Sequence, residues 1–237
     1  MTSNSDSPRP APMWRFWVPL FFQTVLILAI PAQALYIHLT GKRVLLQIVP
    51  VDPYGLLQDY SQTLRYDISI QDNLRKLPGW KELPKQPTTR KAPTFIKPGT
   101  RFYVILEAPK TPTPSTELPQ AWKPVAVSGQ RPSQLNANRV ALKGLAQNGL
   151  VQYGLETSYL SISEEKREQI NADLRAMRPE EPTQLQELLP SAEPTQKRSQ
   201  PPIIMEIKVN DRGEAVPVSL WVQVDKGSKQ QVHQYRF

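Results

Sequence analysis

The chain has no cysteine, two histidines and ten glycines in 237 residues. Without cysteine there is no disulfide framework, no thiolate nucleophile, and no zinc ribbon or iron–sulfur ligation. His38 and His233 stand near opposite ends of the chain in no ligand spacing, which argues against a multi-histidine metal site and a His-based triad. No G-x-G-x-x-G, P-loop or H-E-x-x-H occurs, so nucleotide binding and zinc hydrolysis have no support. The expectation is no cofactor and no metal. Present in excess are proline, 25 residues, and positive charge, formally +8.

Residues 1–13 are polar and broken by proline, and read as a disordered tail. From residue 16 to 39 the chain is almost free of charge, and a run of about 20 apolar residues spans a hydrocarbon core. Trp14, Trp17 and Tyr36 lie near its ends, where amphipathic rings favour the interface. Residues 14–39 are therefore expected to form a transmembrane anchor, kinked near Pro31. The competing expectation is a signal peptide cleaved near Ala34, because Ala32-Gln33-Ala34 fits a small-x-small pattern. Arg9 and Arg15 on one side are matched by Lys42 and Arg43 on the other, so the basic count is a tie. Either reading carries the downstream chain across the membrane, giving a cytoplasmic N-terminus and an extracytoplasmic domain over 40–237. A third reading, the core helix of a soluble protein, would need helices downstream to surround it.

Past Gly41 the apolar pattern changes to a period of two. Residues 63–70 alternate, with Leu64, Tyr66, Ile68 and Ile70 on one face, as a half-buried strand would. Similar runs predict strands at 44–51, 101–107, 139–146, 150–162, 203–209 and 216–224, the last two joined by a turn at Asn210-Asp211-Arg212-Gly213. One amphipathic helix is predicted from a Ser161 or Ser163 cap to Pro179, with Ile170, Leu174 and Met177 on its apolar stripe and Asp173 among the solvent-facing residues. Residues 78–98, 109–132 and 179–202 hold 17 of the 25 prolines and are expected to be surface loops outside the core, as insertions at about 71–99, 109–132 and 179–202. Residues 71–101 carry a net +6 of the total +8, so the basic character belongs largely to one segment. The fold class expected is mainly β: one N-terminal transmembrane helix and an antiparallel β domain with one amphipathic helix and long Pro-rich loops.

Gly41-Lys42-Arg43-Val44-Leu45-Leu46 runs through Pro50-Val51-Asp52-Pro53 into Asp59-Tyr60-Ser61-Gln62-Thr63-Leu64-Arg65-Tyr66. This order resembles the membrane-anchored bacterial proteins named for a GDYxxLxY motif, a family of unassigned function. Leu64 and Tyr66 fall on the motif's last two named positions, whereas Asp59, Tyr60 and Ser61 stand where the family has Gly, Asp and Tyr. Tyr153-Gly154-Leu155-Glu156 is similar to the family's Y-G-[IL]-E segment. The resemblance points to Asp52, Pro53, Asp59, Tyr60, Leu64, Tyr66, Tyr153, Gly154 and Glu156 as motif residues, structural or binding. Read physically, Pro50 and Pro53 impose extended or turn geometry and Asp52 can bond neighbouring backbone N–H groups, making a strand–turn–strand corner. A ridge of Tyr54, Tyr60 and Tyr66 is the alternative, presenting amphipathic rings to a partner.

Catalytic residues are not assigned. Glu156 lies in an apolar run and would need solvent or a partner such as Arg65 or Arg139. The basic segment is broken by five prolines and is expected on the far side of a membrane from nucleic acid, so no nucleic acid is expected, and anionic headgroups or an acidic partner suit it better. The resulting expectation is a membrane-anchored, non-enzymatic envelope protein whose partners are the lipid bilayer and a membrane-protein or envelope component. The alternative is an envelope hydrolase using Glu156, Asp52 or Ser61.

Overall fold

The computed structural model describes residues 14–49, 64–86, 94–110, 118–156, 163–176, 203–226 and 229–237. The expected tail at 1–13, the corner at 50–63 and the stretch at 179–202 lie outside them.

α1, Trp14–Thr40, is one helix that continues through Pro19 and Pro31. Its apolar side chains are bare: Phe21 is 71 % exposed and Ile30 78 %. Only Ile37 is buried. A core helix would show the reverse, so the soluble-core reading is excluded. A single residue, Gly41, separates α1 from β1, Lys42–Ile48.

The remaining strands are β2 (Arg101–Glu107), β3 (Lys123–Ser128), β4 (Arg139–Gln147), β5 (Leu150–Gln152), β6 (Ile203–Val209), β7 (Ala215–Lys226) and β8 (Lys229–Arg236). They form two four-stranded sheets, ordered β1-β6-β7-β8 and β3-β2-β4-β5, with every neighbouring pair antiparallel. Period-two alternation does the sorting: Val44, Leu46 and Ile48 of β1 and Phe102, Val104 and Leu106 of β2 are buried while the residues between them are not. The buried faces of both sheets meet in one core, with Met205, Ile207, Leu220 and Val222 from the first and Leu142 from the second. The edges are also joined. Tyr66 bridges to Ile48 and Ile70 to Leu150, so residues 64–70 span from β1 to β5. On the same free edge of β1, Trp122 N, one residue before β3, donates to Leu45 O at 2.8 Å.

α3, Glu164–Ala176, lies where the helix was expected, begins with Glu164 and Glu165 at the positive end of its dipole and buries Ile170 of the expected stripe. It packs beside β7. The side chain of Leu174 and all of Met177 lie outside the described residues.

Several sequence expectations are corrected. Residues 64–70 are not a strand: between the bridges at Tyr66 and Ile70 the chain makes a single 3-10 turn, Asp67–Ser69. Ser69 Oγ accepts from Tyr66 N at 3.3 Å, and Asn73 Nδ2 donates to Asp67 Oδ1 at 2.7 Å. Such local side-chain bonds offer the backbone an alternative to the ladder. Of the run expected at 150–162, Leu150–Gln152 is a strand and 153–156 are not, and 157–162 lie outside the described residues. The segment at 78–98 does enter the core, through Trp80, Leu83 and Ile96. Gln71 at the start of α2 (Gln71–Leu74) is fully buried and ties that segment to β5, donating to Leu150 O at 3.0 Å and accepting from Ile96 N at 2.8 Å. Two strands lie where none was expected, and the first, β3, overturns the expectation that 109–132 is a loop outside the core, which it enters through Val127. β3 contains Pro124 and is an edge strand, where a missing N–H is tolerated. β8, also an edge, is polar enough to hide its pattern.

Candidate functional site

Among the motif residues, Asp52, Pro53, Asp59 and Tyr60 lie outside the described residues, as do Tyr54 and Ser61. The others converge although about ninety positions separate the two segments. Leu64 N donates to Glu156 O at 2.9 Å, Tyr66 Oη to Leu155 O at 3.3 Å, and Tyr153 Oη to Ile68 O at 2.7 Å. Tyr153 N donates to Glu156 Oε1 at 2.5 Å across Gly154, whose φ is +76°. Residues 64–68 and 153–156 therefore clasp each other through backbone carbonyls. Tyr66 is fully buried and Tyr153 nearly so. Tyr66 thus belongs to the core and not to an exposed ridge. Burial, then the Glu156 charge, pushes the Tyr66 phenol well above its usual range; the same causes, with Asp67 adding, act on Tyr153. Both act as neutral hydrogen-bond donors.

Neither of the expected arginines meets Glu156. Arg139 pairs with Glu107 at 3.4 Å and Arg65 is exposed. The local turn supplies the Glu156 partner instead. A shallow cleft of ≈ 280 Å³ opens beside the clasp, with Arg65, Asn148, Gln152 and Glu156 in its lining. A larger cleft of ≈ 720 Å³ lies beside β1, lined by Gln47, Asp67, Trp122, Lys123, Ile204 and Gln223 among others.

Two polar clusters were missed by sequence reasoning. On the outer face of the first sheet, Glu206 is buried in β6. Arg43 Nε approaches its Oε1 at 2.7 Å, Ser219 Oγ donates to Oε2 at 2.7 Å and Trp221 Nε1 to Oε2 at 3.2 Å. Gln234 Nε2 in turn donates to Ser219 Oγ at 3.1 Å. A buried carboxylate needs this number of donors to offset its lost hydration. A single acid in the otherwise apolar Ile203-Ile204-Met205-Glu206-Ile207 was the available signal.

The second cluster joins α3 to β8. Asp173, expected among the solvent-facing residues, instead places Oδ2 2.5 Å from His233 Nδ1 and accepts from Tyr235 Oη at 2.6 Å. Burial first, then the hydrogen bond and charge of Asp173, push the Tyr235 phenol up. His233 and Tyr235 sit two apart on one strand, the spacing that puts both on one face. One Ser-x-x-Lys spacing opens α3, at Ser163 and Lys166, both exposed. Lys166 Nζ donates to Arg236 O at 3.3 Å, which fastens the helix to the last strand.

No curated protein and no solved structure matches the chain. The family model described as GDYXXLXY protein matches residues 23–220, from within α1 to β7, taking in both halves of the clasp, and the chain belongs to that family.

Proposed function

We propose that the chain is a membrane-anchored, non-enzymatic envelope protein, crossing the bilayer once through α1 and holding its β domain outside the cytoplasm to bind another membrane or envelope component. The observation that carries this reading is the 27-residue apolar helix whose apolar side chains its own domain leaves largely bare, with the single residue Gly41 between it and β1. Its apolar surface is stable where hydrocarbon replaces water, and a helix satisfies its backbone internally there. The short joint also favours retention over cleavage near Ala34. Gln33, just before that point, donates to Glu214 of the domain at 3.2 Å, and Ile37 just after it is buried. The hydrolase alternative gains nothing from Glu156, whose Oε1 is engaged by Tyr153 N.

The absence of cysteine makes the test clean. Ser3→Cys and Gln231→Cys variants are exposed separately to a membrane-impermeant maleimide on intact cells. Labelling of position 231 alone, with position 3 labelled only after permeabilisation and the intact mass retaining residues before Leu35, is the expected result. The reverse labelling pattern, or a mature chain starting at Leu35, overturns the topology. Photocrosslinking in native membranes that yields the same adduct partner from several surface positions supports the binding role, and adducts indistinguishable from background count against it.

A further inference from the structure

We propose that the β6–β7 turn, residues 210–214, is a second membrane contact, seated at the depth of the phospholipid headgroups with Arg212 meeting their phosphates. This rests on the reading of α1 as an anchor. Although 181 positions apart, Gln33 Nε2 and Glu214 Oε2 are hydrogen-bonded at 3.2 Å. Lys208 Nζ donates to His38 O, one of the last carbonyls of the helix, and Ile37 is buried. The end of β6 thus runs back along the last two turns of α1, and the turn extends as far as Gln33.

Depth follows from helix arithmetic. From Thr40 back to Gln33 the rise is about 10 Å, toward the bilayer. A hydrocarbon core of about 30 Å takes about 20 residues, which counted from Trp14 ends close to Gln33, and the headgroup layer beyond adds only about 5–8 Å. A turn level with Gln33 therefore lies in that layer. Exposed Tyr36, about 4.5 Å farther out along the helix, lies in the same layer, as an interfacial ring should.

The turn is built to hold its position there. Asn210 Oδ1 accepts from Arg212 N and Glu214 N, both at 2.9 Å, and Gly213 O accepts from Lys143 N of β4 at 2.9 Å. Gly213 has φ +81°, and a Cβ there would come within 2.9 Å of Ala141 O, so the turn lies hard against the second sheet. The Glu214 carboxylate is occupied by Gln33 and by Asn210 Nδ2 at 3.0 Å. Arg212 and Asp211 are exposed at the tip. A guanidinium matches a phosphate with paired N–H donors and is the less strongly hydrated of the two basic groups, which suits it to this layer.

The full chain is reconstituted in phosphatidylcholine–phosphatidylglycerol vesicles with one spin label at a time, at Leu26→Cys, Asp211→Cys or Gln231→Cys, and collision with oxygen and a water-soluble nickel chelate is measured. The expected result is a hydrocarbon depth at 26, nickel accessibility at 211 severalfold below that at 231, and loss of that protection when Arg212→Glu is added. A label at 211 as accessible as that at 231, with 26 in hydrocarbon, overturns the second contact and leaves the anchor standing. An aqueous label at 26 overturns the anchor and the inference together. Protection at 211 that Arg212→Glu does not change overturns the phosphate contact.

Discussion

Tyr66 and Tyr153 each send a buried hydroxyl to a backbone carbonyl, at 3.3 and 2.7 Å. Burial and the neighbouring Glu156 raise both phenols, so the folded chain holds these protons more tightly than the unfolded one. The stability they contribute is complete below the pKa of a free tyrosine, about 10, and is lost as pH rises above it. Thermal midpoints measured from about pH 9 to about pH 12 are therefore expected to fall steeply. A Tyr66→Phe, Tyr153→Phe chain starts lower at neutral pH, by about 0.5–1.5 kcal/mol per lost hydrogen bond, and falls less steeply. An unchanged slope would show that the two phenols are not what titrates. These tyrosines were legible in the sequence because the family resemblance marks them. Glu206, Asp173 and His233 were not, since a lone acid in a strand and a histidine near the end of the chain look like surface residues until their partners, tens of positions away, are brought beside them.

At the scale of elements, hydrophobic pattern located α1, β2, β6 and β7 with boundaries within two residues, because each has an uninterrupted period or run. Where polar side chains compete for backbone groups, as at Asp67–Ser69, or where proline and polar residues sit on edges, as in β3 and β8, the pattern gave no such guide. Proline suggests surface loops, yet Pro124 lies in an edge strand and Pro217 lies where the β6–β7 register shifts. The joint between α1 and β1 is the element-level feature with the sharpest consequence. A Cβ on Gly41 would come within 2.5 Å of Ile37 O and 3.2 Å of Val209 N, both backbone atoms that cannot swing aside. Gly41→Ala is expected to cost about 1–3 kcal/mol, as overpacking does, and to lower the thermal midpoint of the detergent-solubilised full chain. It should also expose the joint to protease. A midpoint equal to wild type would mean that the last turn of α1 is not packed on β6.

On the scale of the whole molecule, the sequence pattern predicts a long apolar helix followed by a mainly β domain, and the structure adds that this domain is two sheets sharing one core. Met205, Ile207 and Val222 of the first sheet and Phe102, Val104 and Leu142 of the second belong to a single buried cluster. Neither sheet can leave without exposing the other's inner face, at about 25 cal/mol for each Å² of apolar surface returned to water. The edge bridges at Tyr66 and Ile70 and the Trp122–Leu45 hydrogen bond reinforce that dependence. The two sheets are therefore expected to open as one cooperative unit rather than as separate halves. Native-state hydrogen exchange on the detergent-solubilised full chain, followed by mass spectrometry as urea is raised, reads this directly in one protein. Peptides covering β6 and β2 should converge on the same opening free energy and the same urea dependence, since both require the core to be vacated. If β6 exchanges through an opening that leaves β2 protected, the core is divisible, and the join along the edges is too weak to couple the sheets.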